Sequence, residues 1–172
     1  MTIAYATAET ALIAWLQLGT GLTKIIFPHQ QTPAMPYLSL SLGPVRSVTP
    51  IDELRYSTDL GQPAGQEVQQ TVVGQRTFTV SVQAFTLQET GAGTAKELLA
   101  SALLRAGTPT QRLLFGVAGL AFLYAEPLNA LPRLGPMGQG RAAVDLHFAV
   151  VDTVVDATGY IASCTPAGTF SS

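Results

Sequence analysis

Few residues of this sequence combine the types and the spacing that catalysis or metal binding requires. The chain has two histidines, His29 and His147, and one cysteine, Cys164. Neither histidine belongs to an H-x-H or H-x-x-x-H pair and the cysteine has no C-x-x-C partner, so a zinc-binding pattern is missing. Asp145 and His147 share one face of a predicted strand and could touch, but a metal would need a third ligand. We interpret both as polar residues of an exposed or interface face.

The sequence also lacks the motifs that indicate nucleophilic catalysis or phosphate binding. The G-x-S-x-G elbow of a hydrolase is absent. Residues 91–96 follow a predicted strand and open a helix, but they lack the third glycine of G-x-G-x-x-G and the G-K-[ST] of a P-loop. Thr94 and Glu97 instead form a capping box, and Thr108 and Gln111 form a second one. The sequence therefore predicts no enzyme, no cofactor and no metal site.

The composition limits the class of protein. A chain of 172 residues suits one domain, and a hydrophobic content of 47% suffices for a core. Only 12% of the residues are charged, roughly half of the usual share of about 25%. Such a chain either hides part of its surface in an oligomer or is a monomer with a surface rich in Thr, Gln and Gly. Composition alone leaves both alternatives open.

Charge and cysteine content limit the partners and the setting. The net charge is −2, with 9 Lys and Arg against 11 Asp and Glu, and no basic block occurs. This disfavours binding to nucleic acid through its phosphates. A lone cysteine excludes an intramolecular disulfide and fits a cytosolic setting. Because no secretory signal pattern is visible and no apolar run approaches the ~20 residues of a membrane span, we predict no membrane association.

The periodicity of the chain predicts an α+β fold. A helix over residues 8–18, capped by Thr7 and ended by Gly19, precedes an alternating strand over residues 37–42. Leu12, Trp15 and Leu16 line one apolar stripe of this helix. A turn is expected at Gly74. The other predicted extended segments are 46–58, 67–73, 76–88, 120–126 and 141–152, and the later helices begin at Thr94 and Thr108. This order favours a mostly antiparallel, mixed sheet with helices on one face and long hairpin or loop extensions. The two arms 46–58 and 67–73 are expected to form one such hairpin.

We also predict how the chain is divided. Residues 1–164 are expected to form a single α+β domain. The Gly, Ser, Thr and Pro content of residues 165–172 predicts a flexible C-terminal tail.

Several short motifs, taken in their order along the chain, resemble a known family. After the first helix come P-Y-L-S-L at residues 36–40 and R-T-F-T-V-S-V-Q-A-F at 76–85. A helix, A-G-L-A-F-L at 118–123 and R-A-x-x-D-L-x-F at 141–148 complete the layout. Over roughly residues 8–151 this is similar to the neck and tail terminator, or tail completion, proteins of tailed bacteriophages.

The resemblance implies a structural virion protein that catalyses no reaction and is assembled in the host cytoplasm. Such proteins form a ring, usually a homohexamer, at the head-proximal end of the tail. The ring stops growth of the tail tube and joins the tail to the head connector or stopper protein. The implied partners are sister copies, the tail tube protein and the connector, with the sheath protein as a further candidate. Genomic DNA passes through the channel without specific binding.

A hydroxyl-rich strand face is the predicted subunit interface. Thr77, Thr79, Ser81 and Gln83 alternate with apolar residues and carry no charge. In a ring, such side chains can hydrogen-bond across an interface without the desolvation cost of charges. The alternative is an ordinary solvent-facing sheet in a Thr-rich protein.

Two loops are predicted to contact other parts of the tail. The loop with Asp59, Gln62 and Glu67 is expected to face the tube or the channel, where an acidic or neutral lining does not attract phosphates. Arg133 and Arg141 flank a Gly/Pro-rich loop that is expected to face the connector.

Two other functions compete with tail termination. One is another neck component, such as a head-side stopper or adaptor. The other, in a different class, is a small-ligand-binding α+β domain, which would need polar groups that converge in a pocket.

Overall fold

The computed structural model of the chain describes residues 5–48, 52–58, 61, 68–87, 93–131 and 140–157. The chain divides into two compact units. The first comprises Met1–Thr2, Thr49–Gly74 and Asp152–Ser172, and the second comprises Ile3–Val48 and Gln75–Val151. The single domain expected over residues 1–164 stays a prediction, and the tail at 165–172 lies outside the described residues.

The helices of the described region belong to the second unit. They are α1 (Tyr5–Thr20), α2 (Ala95–Ala106) and α3 (Pro109–Val117). Helix α1 starts earlier than predicted, so Thr7 lies inside its first turn and is not its cap. It also continues past Gly19 and ends at Gly21, whose φ is 71° and whose N–H donates to the Gln17 carbonyl at 2.8 Å. A left-handed φ is costly for a residue with a Cβ, which explains why the helix ends at this glycine.

Both predicted helix caps are present, but neither forms a complete capping box within the described residues. The Thr94 hydroxyl accepts from the Glu97 N–H at 3.3 Å, and the Glu97 carboxylate accepts from the Gly93 N–H at 2.8 Å. The Thr108 hydroxyl likewise accepts from the Gln111 N–H at 3.4 Å. The side chain of Gln111 makes no return bond to the cap within the described residues and is buried instead.

Helices α1 and α2 approach each other closely at Gly19. A Cβ on this glycine would lie 2.7 Å from the Ala102 Cα, so a larger residue does not fit. The Ser101 hydroxyl donates to the Gly19 carbonyl at 2.7 Å, and the Trp15 indole donates to the Ala102 carbonyl at 2.9 Å. The glycine at the end of α1 is therefore required for packing, and Gly21 is the residue that ends the helix.

The described strands form one mixed sheet. They are β1 (Ile25–Ile26), β2 (Tyr37–Leu42), β3 (Arg46–Ser47), β4 (Glu53–Thr58), β5 (Val68–Thr86), β6 (Leu120–Ala125), β7 (Asn129–Ala130) and β8 (Gly140–Ala157). The main order is β1-β2-β5-β8-β6, with β3 and β4 also paired to β5 and β7 paired to β8. Strand β1 runs parallel to β2, whereas β2, β3 and β4 run antiparallel to β5, and β6 and β7 antiparallel to β8. This confirms the α+β prediction with a mostly antiparallel, mixed sheet.

Strand β5 includes Gly74, where a turn was predicted. Its ladder continues on both sides of the glycine: Val73 pairs with Glu53, and the Gln75 carbonyl accepts from the Val48 N–H at 3.1 Å. The positive-φ glycines of the described region do not include Gly74. A single glycine is tolerated in a strand when its neighbours stay paired, so the predicted turn is wrong.

The core of the second unit lies between the helices and one face of the sheet. Helix α1 contributes its predicted stripe, Leu12, Trp15 and Leu16. Helices α2 and α3 contribute Leu99 and Phe115. The sheet contributes alternating residues of three strands: Leu38, Leu40, Val80, Val82, Leu146 and Phe148. All are fully buried, and burial of each such side chain contributes about 1.5–3 kcal/mol. The Phe115 ring contacts the Trp15 and Phe148 rings edge-on, at centroid distances of 5.8 and 5.4 Å.

The first unit contains the hairpin that the sequence predicted. Strand β4 pairs antiparallel with the start of β5, from Glu53 opposite Val73 to Thr58 opposite Val68. All six residues of β4 are exposed. Pairing of these two arms is confirmed.

Candidate assembly surface

The hydroxyl-rich residues of β5 lie on the sheet face opposite the core, as their alternation predicted. Thr77, Thr79, Ser81 and Gln83 are half-buried, while the residues between them are buried in the core. On β2, Ser41 pairs with Ser81 and Ser39 pairs with Gln83, which extends the same row across two strands. We call this set, Ser39, Ser41, Thr77, Thr79, Ser81 and Gln83, the hydroxyl face. Its side chains can bind a partner's polar groups at small desolvation cost.

At one end of this face, Arg141 is held by an amide and an aromatic ring. It is the second residue of β8, not a loop residue, and its Nη2 donates to the Gln83 Oε1 at 2.7 Å. Its guanidinium lies 5.3 Å from the centroid of the Phe85 ring, which stacks on Tyr37 at 4.6 Å. Burial raises the pKa of the Tyr37 hydroxyl, and the nearby Arg141 charge acts in the opposite direction. The Nε of Arg141 is buried and has no hydrogen-bond partner in the described region.

His147 connects β5, β6 and β8 on the same side of the sheet. Its Nε2 lies 3.0 Å from the Glu126 Oε1, its Nδ1 lies 3.4 Å from the Thr79 hydroxyl, and its ring stacks on Tyr124 at 4.3 Å. Asp145 contributes its backbone, since its carbonyl accepts from the Glu126 N–H at 2.8 Å. The carboxylate beside the histidine is therefore Glu126 and not Asp145. Residues two apart on a strand are separated by about 6.6 Å, farther than a partner on the neighbouring strand.

The described side chains do not assemble a metal centre. No group of three His, Cys, Asp or Glu residues that could hold a metal ion occurs among them. What the face offers is a row of hydroxyls and one amide, bordered by Arg141 and by the histidine cluster. This arrangement can make hydrogen bonds to another protein surface, because each hydroxyl both donates and accepts.

Four of the predicted contact residues lie outside the described residues. These are Asp59, Gln62 and Glu67 of the loop after β4, and Arg133 of the Gly/Pro-rich loop. Their assignment to the channel, the tube or the connector stays a prediction.

Sequence reasoning missed a second surface, an apolar groove between α1 and α3. It has a volume of about 460 Å³, and none of its lining residues is charged. Its rim includes the exposed side chains of Leu18, Leu114 and Val117, and Gln111 lies in its lining. We call this feature the helix groove. Helix α1 carries a single charged residue, Glu9, in sixteen, and a solvent-facing helix normally carries more, so this signal could have predicted it.

Together these features define a class of protein: a small α+β subunit whose prominent surfaces are an uncharged hydroxyl face and an uncharged apolar groove. Both are suited to contacts with other proteins. No helix in the described part of the chain is long and apolar enough to cross a membrane.

Comparison with known protein families identifies the family to which the chain belongs. The model of the phage neck terminator protein family matches residues 6–170, and the chain belongs to that family. No curated protein sequence matches it significantly. The family is one of structural phage proteins, so this chain has a structural role in the phage tail or neck and is located in the virion.

Proposed function

We propose that the chain forms a hexameric ring at the head-proximal end of the tail, where it stops growth of the tail tube and joins the tail to the head connector. The observation that carries this proposal is the match to the neck terminator family over residues 6–170. The low charge content of 12% supports it, because a ring buries surface that a monomer would have to keep hydrated.

The hydroxyl face is our candidate for the contact between neighbouring subunits. Thr77, Thr79, Ser81 and Gln83 are already half-buried in the single chain and carry no charge. A second copy that covers them would desolvate hydroxyls and an amide, which cost much less to bury than ions when they are hydrogen-bonded.

The experiment that tests the proposal compares tails made with and without this chain. We expect tubes of uncontrolled length, or tails that do not join heads, when the chain is absent. We expect a ring at the tube end when purified protein is added back, visible by negative-stain electron microscopy. A ring found on the head connector and never on tubes would assign the chain to a head-side neck component instead.

The loop after β4 is our candidate for contact with the tube or the channel. Asp59 and Glu67 supply negative charge and Gln62 a neutral amide, and such a lining lets DNA pass without attracting its phosphates. Deletion of residues 61–65 should leave the subunit folded, by circular dichroism, and strongly reduce the fraction of tails joined to heads. Joining at the wild-type level by this variant would refute the assignment.

Arg133 and Arg141 are our candidates for contact with the connector. The one that the structure describes, Arg141, donates from its Nη2 to the Gln83 Oε1 and keeps its Nε buried. A guanidinium has five N–H donors, so those that remain can bind a carbonyl or carboxylate of another protein.

A further inference from the structure

A small polar pocket lies at the Thr77 end of the hydroxyl face. It has a volume of about 220 Å³ and is lined by Pro44, Arg46, Thr77, Phe78, Thr79 and His147. Arg46 of β3 and Thr77 of β5 are direct partners in an antiparallel pair, so their side chains lie on the same side of the sheet. We call this feature the Arg46 pocket.

The hydrogen-bond donors of this pocket are unused in the single chain. Arg46 is exposed, and its guanidinium makes no hydrogen bond or ion pair within the described part of the chain. The Thr77 hydroxyl likewise makes no hydrogen bond there. The Glu126 carboxylate lies beyond His147, 3.0 Å from its Nε2, and the described lining of the pocket contains no carboxylate. The positive charge of Arg46 therefore has no partner in the pocket.

A guanidinium beside a hydroxyl is suited to binding a carboxylate. Two parallel N–H groups of an arginine can bond both oxygens of a carboxylate, and a hydroxyl such as that of Thr77 can donate a further bond. Duplex DNA is a poorer match, because proteins that bind it neutralise several phosphates with several cations. This pocket has one guanidinium, and the chain as a whole has a net charge of −2.

The position of the pocket indicates where such a carboxylate comes from. Thr77 and Thr79 belong to the hydroxyl face, our candidate for the contact between neighbouring subunits. A copy that covers this face also removes water from Arg46, and a buried cation is costly unless an anion pairs with it. The covering copy has an excess of anionic side chains, with 11 Asp and Glu against 9 Lys and Arg.

We propose that the Arg46 pocket binds a carboxylate side chain of the neighbouring copy, held by the Arg46 guanidinium and the Thr77 hydroxyl. This inference rests on the ring of the proposed function. The row of hydroxyls can form hydrogen bonds in several registers, because each hydroxyl both donates and accepts. A bidentate ion pair has one geometry, so this contact would fix how two copies are aligned.

Ring assembly by variants of the pocket tests the contact. Purified protein is titrated onto tail tubes that lack it, and the fraction of tube ends with a closed ring is counted by electron microscopy. We expect Arg46→Gln to raise the half-saturating concentration at least about tenfold, because the partner's carboxylate is then buried without a counter-charge. Arg46→Lys should have a smaller effect, since it keeps the charge and loses the bidentate geometry. Assembly of Arg46→Gln at the wild-type concentration would overturn the inference.

Two controls separate this contact from general effects of charge. Arg112→Gln removes the same charge from an exposed position of α3 and should assemble within about twofold of the wild type. Arg46→Gln should unfold in urea at the wild-type concentration, because Arg46 has no partner in the free subunit. Binding of a short duplex DNA is measured for the same variants. A loss of DNA binding by Arg46→Gln, with ring assembly unchanged, would identify a phosphate site and overturn the inference.

Cross-linking identifies the carboxylate. Arg46→Lys places an amine in the pocket, and a carbodiimide couples this amine to a carboxylate in direct contact. Rings built on tubes from a mixture of isotope-labelled and unlabelled protein are treated and analysed by mass spectrometry, with the wild type as the control. An amide bond from position 46 to an Asp or Glu of a differently labelled copy supports the proposal.

The other outcomes of this experiment are distinct from one another. A cross-link from position 46 to the tube or connector protein, or to the same copy only, would overturn the inference. A ring without any cross-link at this position would also overturn it and would leave the proposed function intact. A wild-type protein that builds no ring on tubes would refute the proposed function itself.

Discussion

Among single side chains, Tyr37 reports how strongly the hydroxyl-face side of the sheet is buried. Its ring stacks on Phe85 and lies beside the Arg141 guanidinium that borders the face. Burial disfavours the charged phenolate and raises the pKa of this tyrosine above its ordinary value of 10.0, although the positive charge of Arg141 opposes the shift. Partial burial of this side of the sheet should therefore be detectable in the isolated subunit, through the pKa of Tyr37.

The expected consequence is a loss of stability at high pH. Because the folded state holds this proton more tightly than the unfolded state, the contribution is complete below pH 10 and declines as the pH rises through the raised pKa. We expect the free energy of unfolding, measured in urea from pH 9 upward, to fall less steeply in Tyr37→Phe than in the wild type. Arg141→Gln should raise the pKa of Tyr37 further. Identical pH profiles of Tyr37→Phe and the wild type would show that this tyrosine does not contribute.

Between helices, the contact of α1 with α2 depends on the absence of a side chain at one position. Gly19 sits where a Cβ would lie 2.7 Å from the Ala102 backbone, whereas a Cβ on Gly116 of α3 would meet nothing within 4 Å. Two glycines in helices of the same unit therefore have opposite roles. One permits close packing, and the other only weakens its helix.

This contrast predicts substitutions of opposite sign. Gly19→Ala should destabilise the subunit by about 1–3 kcal/mol, because the helices must move apart to admit the methyl group. Gly116→Ala is the matched control and should stabilise it by about 0.5–1 kcal/mol, since alanine is the better helix former. Urea unfolding followed by circular dichroism measures both. Equal effects of the two substitutions would contradict the packing described for Gly19.

In the ring that we propose, covering the hydroxyl face and the helix groove would account for a charge-poor chain. A monomer with 12% charged residues leaves uncharged surface in water, whereas the proposed ring would cover it with sister copies. The two surfaces have different chemistry, one rich in hydroxyls and one apolar. A ring contact that uses both would combine hydrogen-bond specificity with apolar burial.

A single charge placed on the hydroxyl face tests this view. Ser81→Glu should weaken ring assembly on tubes by on the order of 100-fold or more, because a carboxylate without a partner would be buried at the interface. Ala100→Glu puts the same charge on an exposed position of α2 and should assemble normally. Circular dichroism of both variants checks that the free subunit is folded. Normal ring assembly by Ser81→Glu would remove this face from the interface.

Much of the fold could be predicted from local patterns. The alternation of residues 77–84 correctly separated the core side of β5 from its hydroxyl side, and the stripe of Leu12, Trp15 and Leu16 correctly placed α1 on the core. Thr94 and Thr108 were correctly predicted as caps. These features depend on the period of a strand or a helix and on hydrogen bonds within a few residues, which a sequence displays directly.

Other features depend on residues that are distant in the chain, and local patterns misassigned them. Gly74 is a residue typical of turns, yet pairing of its chain neighbours Val73 and Gln75 keeps it in a strand. Gly19 was predicted to end α1, but the close approach of Ala102 is the reason that a glycine is needed there. Gln111 looked like half of a capping box, but packing of α1 against α3 buries its amide in a groove. The sequence showed only that His147 shares a strand face with Asp145, whereas pairing of β6 with β8 brings Glu126 to the histidine. In each case a contact between segments far apart in sequence decides the local structure. A short window of sequence does not contain both partners of such a contact.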